Sequence, residues 1–317
     1  MTAVEESTMR YAIGVCGRLG MALGAVCMLV MSGLCAAEGD AEEAEAYVSP
    51  MFDGWKETGA IRVEREATTE CPVTLWTHRA APYDVSGVLE GKDVEKFYDD
   101  VLEVLSWSAN YVEQALGGPV QEYDFVLAKG FPRDGVSAAI RGTTAMHGNV
   151  EKWHERMYSR ESRKAVLYDS ASHEMYHVQT YRTDPDEEKF TREFTAMFFE
   201  AAVTLKRGGI EYVWGGMASA KKDILERKLP LDRDYTKAYD ATFTRGLADW
   251  AANMVHEDNK LEGVERASRA LLVSKTNGVE SFDEVMKECG FTLKGEAITF
   301  DRALLEFKAY IERKEKK

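Results

Sequence analysis

The sequence predicts an α+β fold: a small, mostly antiparallel N-terminal sheet with one long helix, followed by a helical half. Three observations carry this. Short β-rich runs are confined to the first half; a single long helical pattern stands among them rather than alternating with them; and beyond Asp169 the apolar residues recur at helical spacing almost without a break. With 45% hydrophobic and 30% charged residues, the 317-residue chain has the composition of a protein with a real core.

Taken in order, the chain begins with Arg10 and Arg18, the apolar run from Met21 to Leu34, and the small residues Cys35-Ala36-Ala37 before it turns acidic. Basic, apolar and small-residue regions in that order read as a secretory signal peptide over residues 1–37. The apolar run is shorter than the roughly 20 residues of a spanning helix, so a membrane role is expected only if the segment stays uncleaved. The expected location is therefore periplasmic or extracellular. Residues 38–60 are acidic and without a period, as in a tether. Residues 61–317 are read as one domain, with a sheet part (61–168) and a helical part (169–317). Three of the five cysteines fall in the leader, leaving Cys71 and Cys289. In an oxidising compartment these can bridge or remain two separate buried thiols. Neither has CxxC spacing, which disfavours cysteine ligation of a metal.

Cys71–His78 alternates and is β-rich, predicting a strand. From Asp93, the residues Val94, Phe97, Val101, Val104, Leu105, Tyr111, Val112 and Leu116 repeat as one helix face until Gly117-Gly118-Pro119 stops them. Tyr123–Ala128 reads as a second strand, Val136–Ala145 as a third bounded by glycines, and Ala165–Tyr168 as a fourth short apolar run. Asp169-Ser170 then offers a helix cap. Further on, Asp184-Pro185-Asp186-Glu187 has the form of a capped helix start, leading through Phe190, Phe194, Met197, Phe198, Ala201 and Leu205 to Gly208-Gly209. Acidic residues outnumber basic ones 54 to 40, for a net charge of -14, and no basic face is gathered anywhere. That excludes nucleic acid as an expected partner.

Chemistry concentrates at His173-Glu174-Met175-Tyr176-His177, an HExxH pattern. On a helix, residues four apart share a face, so both imidazoles can reach one ion while Glu174 stands beside the open coordination position; this suits Zn²⁺ and a water. Met175, Tyr176 and Val178 would bury the rest of the helix, and buried histidines need a partner. A catalytic zinc takes a third protein ligand, and no HExxHxxGxxH extension supplies a histidine. Glu193, on the flank of the next apolar stripe, is the expected ligand. Glu200, on the same face, is the expected hydrogen-bond partner of a ligating histidine. His78, His147 and His154 stand outside any such spacing and are expected in loops or at the surface.

His173-Glu174-Met175-Tyr176-His177-Val178-Gln179, followed by Phe190-Thr191-Arg192-Glu193-Phe194-Thr195-Ala196-Met197-Phe198-Phe199-Glu200, resembles the gluzincin metallopeptidases, in particular the bacterial peptidase MA-like group. The resemblance implies a zincin-like fold, Zn²⁺ on His173, His177 and Glu193, Glu174 as general base, and a peptide or protein as substrate. Phe194 departs from the family's glycine, which bears on access near Glu193. An extended substrate is expected to pair with an edge of the sheet, here Ser137 to Ala145, and an oxyanion donor is expected, with Tyr239 ahead of Tyr235 and His256. Two other functions fit the same motif: a zinc-binding but inactive secreted scaffold, and a zinc hydrolase of a non-peptide amide. A purely structural zinc would need a fourth protein ligand, and no further Cys or His accompanies these three, so an enzyme is preferred to a scaffold.

Overall fold

The computed structural model describes residues 60–63, 73–117, 122–132, 135–140, 143–183, 189–231, 239–274 and 279–313. The leader, the tether up to residue 59, Cys71, the 184–187 cap and Tyr235 lie outside them. Strand β1 (Ala60–Arg62) pairs antiparallel with β2 (Val73–His78), so Ala60, assigned to the tether from sequence, is already part of the sheet. After a single turn, α1 (Ser86–Leu89), helix α2 (Val94–Leu116) follows. The Asp93 side chain caps it by accepting from the Lys96 amide, and Gly117 ends it at φ 66°, a left-handed conformation suited to glycine. The helix rises about 34 Å and returns the chain to the starting end of the sheet, so β3 (Tyr123–Ala128) runs parallel to β2.

Two further strands complete the order β1-β2-β3-β5-β4, with β5 (Ala145–Asn149) parallel to β3 and the edge strand β4 (Ser137–Ala139) antiparallel to β5. The sheet is therefore mixed and contains one βαβ unit, rather than being mostly antiparallel. The expected single strand Val136–Ala145 falls instead on two strands, β4 and the start of β5. Gly148 does not end β5; a Cβ there would lie 2.4 Å from the Phe125 ring, so the glycine makes room for packing.

The remainder is helical, apart from a small hairpin. Helix α3 (Val150–Met157) is capped by Asn149, and α4 (Glu161–Thr183) carries the HExxH pattern. Ala165–Tyr168 is thus helical, and Asp169-Ser170 lies inside α4 rather than at its cap. Next come α5 (Lys189–Gly208), α6 (Ile210–Arg227) and α7 (Ala241–Leu272), the last broken at Lys260. Helix α8 (Val279–Glu288), the hairpin β6 (Thr292–Leu293) with β7 (Glu296–Ala297), and α9 (Phe300–Glu312) finish the described chain.

Among the helices, α5 packs most extensively on α7 and next on α4. Phe190, Phe194, Phe198, Phe282 and Phe300 interlock there, joining α5 to α8 and α9. Each ring so buried is worth roughly 1.5–3 kcal/mol relative to exposure. On the sheet, Leu75, Phe125 and Met146 enter the same core as Phe97, Val101 and Leu105 of α2. The opposite face holds His78 and His147, both 0% exposed and packed among Tyr83 and Phe131. They are core residues, contrary to the surface placement expected from sequence, because the segments after β2 and β3 fold over them. His154 is half-buried on α3, against Phe97 and Tyr158. Cys289 is a half-buried free thiol. Among the described residues no helix is long and apolar enough to cross a membrane.

Candidate metal centre

Helix α4 is enclosed by α2, α3, α5 and the β4–β5 edge, which is why its apolar residues are not confined to one stripe. Met175, Tyr176 and Val178 are almost wholly buried. The four-residue spacing puts His173 and His177 side by side on the remaining face, with ring centroids 4.6 Å apart and planes at 85°. Their Nε2 atoms are 3.0 Å from each other.

Helix α5 brings Glu193 to the same point. Its Oε2 lies 3.5 Å from each Nε2. A triangle with these sides has a circumscribed radius of ~1.9 Å, so a point 2.0–2.1 Å from all three atoms lies just off its plane, as zinc bonded to nitrogen and oxygen needs. Two imidazole nitrogens and one carboxylate oxygen are also the donor set of a catalytic rather than a structural zinc. The three residues form the one group of potential ion ligands found among the described residues. The donors thus fit the ion in both chemistry and spacing.

Around them the charges are ordered. Glu200 Oε2 lies 3.1 Å from His173 Nδ1, in the expected role, and its Oε1 is ion-paired with Arg245 Nη1 on α7. Burial works against charge on His173, but the hydrogen bonds to Glu193 and Glu200 outweigh it and push the imidazolium up to about 10. Burial likewise opposes ionisation of Glu193, yet the two histidines hold its carboxyl far below the ordinary range. For Glu200, burial is overcome by the Arg245 charge and by His173, leaving it at about 2. One turn along α7, burial pushes Asp249 up to about 7.

Glu174 is half-buried and its Oε2 accepts a 2.7 Å hydrogen bond from the Ala139 amide of β4. That amide faces away from β5, whose pairing is made by residues 136, 138 and 140. The edge strand therefore fixes the orientation of the HExxH carboxylate. Phe194 is 2% exposed and its ring is committed to the aromatic cluster of α5, α8 and α9. Tyr239 has φ 41°, carries Lys189 Nζ 4.5 Å over its ring, and has its hydroxyl pKa raised by burial and then by the charge of Glu193. It belongs to the surroundings of the centre, whereas His256 sits half-buried further along α7.

Three participants escape a sequence reading: the Ala139 amide, Arg245 and Asp249. A backbone amide leaves no signal in sequence. Arg245 and Asp249 leave a faint one, a charged i,i+4 pair among Phe243, Leu247, Ala248 and Ala251, which would otherwise mark an apolar face. No family model matches the chain, and no curated protein matches it.

Proposed function

We propose that the protein is a zinc-dependent metallopeptidase, exported from the cell, that hydrolyses peptide bonds at the centre formed by His173, His177 and Glu193. The observation that carries this is the near-equilateral set of two Nε2 atoms and one Oε2, on two packed helices, with the Glu174 carboxylate anchored beside it. The chemistry supplied by an ion held there is activation of a water and polarisation of a carbonyl. Glu174 takes the proton of the attacking water and passes it to the leaving amine, and the Ala139 amide holds the carboxylate in the orientation for both transfers. Glu200 orients His173 through Nδ1. Apart from the Ala139 amide, which Glu174 occupies, the outward backbone groups of β4 suit pairing with an extended chain, which favours a peptide over a compact amide. Tyr239 is the proposed donor to the developing oxyanion.

The test is zinc stoichiometry together with cleavage of a peptide library by wild type and Glu174→Gln. Wild type should bind one zinc and cleave; Glu174→Gln should bind zinc equally and cleave about 10²–10⁴-fold more slowly. Zinc without cleavage by either protein would point to the scaffold, and absence of zinc from both would end the proposal.

A further inference from the structure

The Glu200 carboxylate is 7% exposed and divided between two partners, one oxygen on His173 Nδ1 and the other on the Arg245 guanidinium. Arg245 belongs to the second turn of α7. The start of that helix is held by Asp240, whose Oδ1 accepts from the Thr242 and Phe243 amides and whose carboxylate is ion-paired with Arg227 at the end of α6. Asp169 of α4 and Asp249 of α7 also act electrostatically on the guanidinium, so Arg245 is a cation set among three carboxylates from three helices. Only Glu200 touches a histidine of the centre. We propose that Arg245 is a positioning residue for the candidate metal centre: by fixing one oxygen of Glu200 it aims the other at His173 Nδ1 and so directs His173 Nε2 at the ion.

This rests on the metallopeptidase reading, since it concerns the affinity of the same three ligands. A guanidinium presents several donors in a rigid plane, whereas an ammonium on a flexible stem is a point charge. Arg245→Lys should therefore restore the charge but not the full orientation. Outer partners of metal-binding histidines are worth about 10–100-fold in metal affinity. A guanidinium acting one step further out should reach the lower end of that range. A role confined to holding α7 on α5 would instead lower stability without regard to what residue 200 is.

The experiment is zinc affinity by competition with a chromophoric chelator. Wild type, Arg245→Met, Arg245→Lys and Glu200→Gln are compared with the double variants carrying Glu200→Gln and either change at 245, all checked for folding by circular dichroism. Arg245→Met should weaken zinc binding about tenfold and Arg245→Lys about threefold, with both effects shrinking below about twofold in the Glu200→Gln background. Equal losses in both backgrounds, or no loss with Glu200 intact, would overturn the positioning role while leaving the metallopeptidase reading in place. A wild type that binds no zinc removes both. If Arg245→Met does not fold, Arg245→Lys and its double variant decide the matter by the same criterion.

Discussion

Each half of the molecule buries a pair of neighbouring imidazoles, and His173 of one pair and His147 of the other are shifted in opposite directions. In the helical half, His173 and His177 face Glu193 and Glu200, and His173 is pushed up to about 10 despite its burial. In the sheet half, His78 and His147 stack with centroids 6.2 Å apart beneath Tyr83 and Phe131; burial, reinforced by His78, brings His147 down to about 3. Burial is common to both. What differs is the surrounding shell, carboxylates in one case and aromatic rings in the other. Anions behind a buried imidazole favour a cation on it, whether proton or metal, whereas an aromatic shell does not.

The most severe way to break this comparison is to remove one histidine from each pair. On the proposed metallopeptidase reading, His177→Ala should lose stoichiometric zinc and all peptide cleavage, because two donors cannot hold a catalytic ion. His78→Ala should keep one zinc per chain and the wild-type cleavage rate, losing only stability to the vacated space. Metal analysis of the dialysed proteins, alongside peptide assays, decides it. Equal zinc loss in both would mean that the sheet-half pair contributes to ion binding after all.

A second way uses pH and works in opposite directions for His147 and His173. The unfolded chain gives His147 an ordinary value near 6.5, so between about 6.5 and 3 the unfolded state holds a proton that the native state lacks. The stability contributed by neutral His147 is therefore complete above 6.5 and lost as the pH falls through that window, at up to about 1.4 kcal/mol per unit. His147→Leu should flatten the acid limb. In chelator-treated protein, His173 behaves in the reverse sense: its contribution is complete below 6.5 and is lost as the pH rises through about 10. Urea midpoints from about pH 4 to 10 for wild type, His147→Leu and His173→Gln measure both slopes. Parallel profiles for the two variants would refute the assignment of opposite shells.

Legibility in the sequence follows the same division. Helix α2 is readable to the residue, because Asp93 and Gly117 are chemically specific end signals and the intervening pattern is long. His173, His177, Glu193 and Glu200 are readable because helical spacing converts sequence distance directly into a shared face. The sheet-half pair is not, since β2 and β5 meet through β3 and no local rule brings His78 to His147. Ala165–Tyr168 misleads because four apolar residues cannot distinguish a strand from a buried helical turn. The parallel β2–β3 pairing depends on where α2 delivers the chain, which is a tertiary fact.

A change that shifts stability without touching either pair calibrates the others, and Lys260 offers one. It interrupts α7 at φ 59° and ψ -164°, backbone geometry that glycine adopts freely and a side chain does not. The side chain gives little back: its Nζ donates to the Glu257 carbonyl in an exposed hydrogen bond. Such strain costs about 1–3 kcal/mol, while a new glycine adds about 0.5–1 kcal/mol of entropy to the unfolded chain. Lys260→Gly should thus stabilise the protein by about 1 kcal/mol, seen as a rise in Tm of about 2–4 °C. Apart from a small change where His256 titrates, whose pKa is lowered by burial and then by the Lys260 charge, the shift should be the same at every pH, and zinc affinity should be unchanged. If Lys260→Gly still tilts the pH profile in a His256→Gln background, the break in α7 is coupled to the imidazole pairs and the slopes assigned to His147 and His173 must be shared with it.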